Sequence, residues 1–72
     1  MKVLKELKIR QNRLIRQHAR YSRLRKNIFL QKLPKSAESA IVLSYDAFIR
    51  EINDELLQVD LEIARYMLEL ED

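Results

Sequence analysis

A repeat of seven organises the second half of the chain. Val42, Ile49, Leu56, Ile63 and Leu70 form one apolar column, and Tyr45, Ile52, Val59 and Tyr66 form another, with no polar interruption in either. Positions seven apart lie nearly in line along an α-helix, so the pattern is that of a helix carrying a coiled-coil-like seam. Glu55, Glu62 and Glu69 border this seam on one side, and Asp46, Asn53 and Asp60 on the other. The first half follows the same period less purely. One column reads Leu7, Leu14, Tyr21, Ile28, whereas the second reads Leu4, Gln11, His18, Arg25. No stretch sustains the period-2 alternation of a half-buried strand.

Pro34 is the strong punctuation between these halves, because it cannot continue a helix and biases Leu33 away from the α region. Ser36 is the expected N-cap of the following helix, with Glu38 placed favourably for its dipole. The pattern therefore predicts an all-α fold in a single domain spanning residues 1–72. Its helices cover about 2–32 and 37–70, joined by a connection at 33–36. Folding one helix back on the other sets opposite each other residues whose numbers sum to about 70. Leu14 then meets Leu56, Leu7 meets Ile63, and Ile28 meets Val42; Lys8 approaches Asp60 and Arg10 approaches Glu62. The expected architecture is an antiparallel two-helix hairpin.

One apolar set is left over. Leu57, Leu61, Ala64 and Leu68 share a second face of the later helix, which a two-helix hairpin cannot cover. A homodimer closing into a four-helix bundle is the simplest cover, with Gln11, His18 and Arg25 as polar register-setting positions. The alternative is a target protein docked on the same leucines.

Composition narrows the chemistry. The 72 residues include no cysteine and no glycine. Thiolate metal sites, disulfides and Gly-rich phosphate loops are thereby excluded, and turns requiring a positive φ are not expected. Ala40–Leu43 is the longest wholly apolar run, far short of the ~20 residues that span a bilayer. The opening MKVLKELKIR is broken by charges and does not read as a signal peptide. A cytoplasmic location is expected.

The net charge of +3 conceals an asymmetry: residues 1–35 hold twelve Lys or Arg against Glu6, whereas residues 36–72 hold ten acids against Arg50 and Arg65. Within the basic half, Lys2, Lys5, Arg13, Arg16, Arg20 and Arg23 share an arc of roughly 80°, opposite the apolar column. The bland reading is a solvated face, and a basic amphipathic helix on an anionic membrane is a lesser option. Against solvation stands the composition of Arg10–Lys26, six Arg and one Lys with no acid. Solubility is served equally by Lys, whereas phosphate recognition favours the forked guanidinium. Lys5, Arg13, Arg16, Arg20 and Arg23 are therefore the candidate contacts to DNA or RNA, or to an acidic protein.

No zinc-finger spacing, base-stacking sheet or short recognition helix is present, so contact with the nucleic-acid backbone is expected rather than base readout. Tyr21 and Phe29 fit the seam better than a base-stacking role. His18 lacks companions for a metal site, and the acids spread over more than one face without a cleft. The serines have no neighbouring base. No catalytic residue, metal or cofactor is expected. The architecture resembles that of the Rop-like RNA-binding dimers, without a shared motif. The whole reads as a small non-enzymatic interaction or regulatory protein that self-associates through its second helix and meets an anionic partner through its first.

Overall fold

The structure, a computed structural model, describes residues 2–71. Two α-helices, α1 (Lys2–Ile28) and α2 (Lys35–Glu71), pack antiparallel as a hairpin. At ~1.5 Å per residue, α2 alone is about 55 Å long, which accounts for the 57 × 14 × 12 Å extents of the molecule. The radius of gyration is 16.7 Å, well above the roughly 11 Å of a globular chain of this length. The molecule is a rod.

The core runs along the heptad seam. Leu14, Ile52 and Val59 are buried, Val59 completely, and Tyr21, Leu56 and Ile63 pack around them half-buried. The expected meeting of Leu14 with Leu56 thus lies within one cluster. Two polar contacts set the register: Gln11 Nε2 donates to Asp60 Oδ1 at 2.7 Å, and Arg25 Nε donates to Asp46 Oδ1 at 2.6 Å. Both pairs sum to 71, one residue from the expected register.

That agrees with the expected register of about 70, but the flanking contacts differ from those expected. Arg25–Asp46 is the ion pair of the described residues, and neither Lys8–Asp60 nor Arg10–Glu62 forms. Asp60 is taken by Gln11 instead. The mixed column Gln11, His18, Arg25 therefore sits at the edge of the hairpin's own seam, half-buried beside the Asp46–Asn53–Asp60 column. Two of its members are satisfied within the chain rather than reserved for a dimer core.

The connection also departs from expectation. The first helix ends at Ile28 rather than Lys32, and the chain reverses through Phe29–Pro34. Leu30 N and Gln31 N bond the carbonyls of Asn27 and Ile28, tightening the last turn. Lys32 then takes φ 51°, the left-handed region, even though the chain has no glycine. Reversing direction before an obligatorily extended pre-proline residue needs such a step, and Lys32 supplies it at a steric cost. The second helix begins at Lys35, one residue before Ser36, which therefore lies inside it and is not its cap. Its first bond runs from Glu38 N to the carbonyl of Pro34, which occupies the cap position. Phe29, expected in the seam, is half-exposed in this connection with the Arg25 guanidinium 5.8 Å from its ring centre. Leu70, at the far end of its column, is also exposed.

Candidate functional site

Two faces of the rod remain unoccupied by the hairpin. The first is the outer side of α1. Lys5, Arg13, Arg16, Arg20 and Arg23 are all exposed there, as are Lys2 and Ile9. They stand outward because Leu14 and Tyr21, on the opposite side of the same helix, are held in the seam. The structure adds a relief that spacing alone did not show. Ile9, Asn12, Arg13, Arg16, Gln17 and Arg20 line a shallow depression of about 380 Å³. Leu4, Lys5, Lys8, Ile9 and Asn12 line a second of about 330 Å³. The two depressions share Ile9 and Asn12 in their linings, and Arg23 lines neither. Sequence reasoning passed over Asn12 and Gln17; their signal was the Asn12–Arg16 and Arg13–Gln17 four-residue spacing, which places neighbours on one helix face.

None of the stripe cations has a carboxylate within ion-pair distance among the described residues, because the one ion pair found there is Arg25–Asp46. Arg25 differs from the others in lying at the seam edge, where it is both paired and stacked. Five guanidinium or ammonium groups along one line, unneutralised by their own chain, form a linear positive surface suited to spaced anions.

The second face is on α2. Leu57, Leu61 and Leu68 are 59%, 43% and 63% exposed, and Ala64 is exposed with them. This places all four roughly opposite the side of α2 that carries Ile52 and Val59. Leu43, 67% exposed, lies on the same face fourteen residues before Leu57. It was missed in the sequence because Arg50, midway between them, interrupts the apolar column. Phe48 is half-exposed and stacks on Tyr21, with ring centres 5.5 Å apart.

Among the described residues, no group of three His, Cys, Asp or Glu side chains is placed to hold a metal ion. Ser44 Oγ donates to the carbonyl of Ala40 one turn back, and His18 is half-buried. No helix is long and apolar enough to cross a membrane. No protein-family model, curated protein or solved structure matches the chain.

Proposed function

We propose that this is a small, non-enzymatic helical interaction protein that self-associates through α2 and binds nucleic acid along the phosphate backbone through the outer face of α1. The observation that carries the reading is the unpaired state of the basic stripe. Lys5, Arg13, Arg16, Arg20 and Arg23 are exposed and free of acid partners among the described residues, although α2 is rich in carboxylates. The stripe stays open because it lies on the side of α1 turned away from α2, and an open row of guanidinium groups is what phosphate contact requires. Asn12 and Gln17 line the first depression beside the arginines, with side-chain amides able to donate to phosphate or sugar oxygens. No exposed aromatic lines either depression, which favours a duplex backbone over stacked single strands.

The test is binding of a short duplex at several salt concentrations. Affinity falls steeply with salt for the native chain, and the quadruple change of Arg13, Arg16, Arg20 and Arg23 to Gln flattens the dependence. Binding that is absent, or independent of salt, removes the nucleic-acid reading. A second reading rests on the exposed leucines of α2: an adaptor or inhibitor that docks Leu57, Leu61 and Leu68 on a target protein while the basic face steers the encounter. Light scattering separates self-association from that reading. Leu61→Glu converts a native dimer to monomer, whereas a native chain that is already monomeric favours the adaptor.

A further inference from the structure

The exposed face of α2 carries two charges in its middle. Arg50 continues the column of Leu43, Leu57 and Ala64, and Asp54 continues that of Ala47, Leu61 and Leu68. Both are exposed, and neither is in an ion pair among the described residues. A face otherwise built of Leu and Ala would lose by covering either charge alone.

We propose that the occupant of this face is a second copy of the chain, packed antiparallel in the one register that sets Arg50 against the partner's Asp54. The inference specifies the partner and geometry of the self-association proposed above, and rests on it. In an antiparallel helix pair, residues of one column face residues of the other. With Arg50 opposite the partner's Asp54, Leu61 faces the partner's Leu43, Ala47 faces the partner's Leu57, and Ala64 faces the partner's Ala40. Two-fold symmetry repeats each layer, so both charges are neutralised twice around the axis. Sliding by one heptad either way sets Asp54 against a leucine and Arg50 against an apolar side chain. A parallel pair stacks Arg50 on Arg50 and Asp54 on Asp54. Glu51 meets its own copy at the edge of the chosen arrangement, where solvent and salt screen it.

Two further observations agree. In this register Lys35 lies at the level of the partner's Glu69, so α2 overlaps its copy along almost its full length. The accessible surface of the chain is 6033 Å², against roughly 4,700 Å² for a folded monomer of this mass. The excess of about 1,300 Å² exceeds the ~800 Å² per partner of a standard interface. With α1 on the outside of each copy, both basic faces stay open on opposite sides of the dimer.

The experiment is a charge-reversal cycle read by light scattering, with helicity followed by circular dichroism. Arg50→Asp makes every axial charge negative, and Asp54→Arg makes every one positive, so each variant alone is monomeric and helical. Mixed in equal amounts they restore opposite charges in both layers and return the native dimer mass as a heterodimer. The double variant Arg50→Asp/Asp54→Arg also dimerises. A dimeric native chain whose single variants keep its mass, or whose mixture stays monomeric, overturns this register while leaving self-association standing. A monomeric native chain overturns both. Should the single variants lose helicity, the chain's freedom from cysteine permits a second arm. Leu43→Cys and Leu61→Cys chains, mixed and oxidised, form a mixed disulfide in this register, and the absence of that cross-link overturns it.

Discussion

Arg25 and Asp46 are joined across the hairpin by a 2.6 Å hydrogen bond from Nε to Oδ1, and the same guanidinium lies 5.8 Å from the ring centre of Phe29. This one side chain ties the last turn of α1 to both α2 and the connection. It also divides the basic residues into two populations. Arg25 is consumed by the fold, whereas Arg13, Arg16, Arg20 and Arg23 remain available.

The Arg25–Asp46 contact is partly exposed, with side chains 37% and 41% accessible. Its contribution is accordingly modest. A double-mutant cycle of Arg25→Ala and Asp46→Ala, measured by urea unfolding, should return a coupling of about 0.5–1 kcal/mol that shrinks in high salt. A coupling indistinguishable from zero at low salt would deny the pair its tying role.

Val59 is the fully buried side chain of the core. Val59→Ala should lower stability by about 2 kcal/mol, from the lost methyl groups and the cavity they leave. Ile15→Ala, on the exposed side of α1, should change it by under ~0.5 kcal/mol. Denaturant midpoints of the two variants compare them directly; equal losses would contradict the placement of the seam.

Lys32 holds φ 51° with a side chain that disfavours it. Lys32→Gly should stabilise the hairpin by up to ~1 kcal/mol, because glycine adopts this region without steric penalty. A rise of a few °C in thermal midpoint is expected for a chain of this size. A lower midpoint would show that the connection does not use the left-handed conformation.

If the five stripe cations each neutralise one phosphate, the logarithm of duplex affinity should fall with the logarithm of salt at a slope of about −4 to −5. Replacing Arg13, Arg16, Arg20 and Arg23 with Gln should leave a slope near −1. Titration by fluorescence anisotropy measures both, and equal slopes would place the contacts elsewhere on the chain.

Much of this was legible before any coordinates. The Val42–Leu70 and Tyr45–Tyr66 columns identified α2 and its buried side, because a seven-residue apolar repeat has one helical solution. Matching it with Leu7, Leu14, Tyr21 and Ile28 came within one residue of the register shown by Gln11–Asp60. The outward direction of Arg13, Arg16, Arg20 and Arg23 followed from the same geometry. The connection was not legible. Pro34 announced a break, but how many residues are spent in reversing the chain depends on where α2 receives α1, and Lys32 took a conformation that its residue type does not advertise.

By itself, then, the amino-acid order determined the two helices, their antiparallel pairing and the separation of a basic face from an apolar one. These follow from periodicity, which is local and repeats often enough to average out exceptions. Only the tertiary structure decided which polar groups are consumed by the fold. Among the described residues Lys8 and Arg10 form no ion pair, while Gln11 and Arg25 bond Asp60 and Asp46. Neighbouring positions on a helix differ by about 1.5 Å along the axis and 100° around it, so which of several flanking side chains reaches a given carboxylate is settled only by how the two helices meet. The stripe on α1 stays open because it lies on the side of the helix turned away from α2.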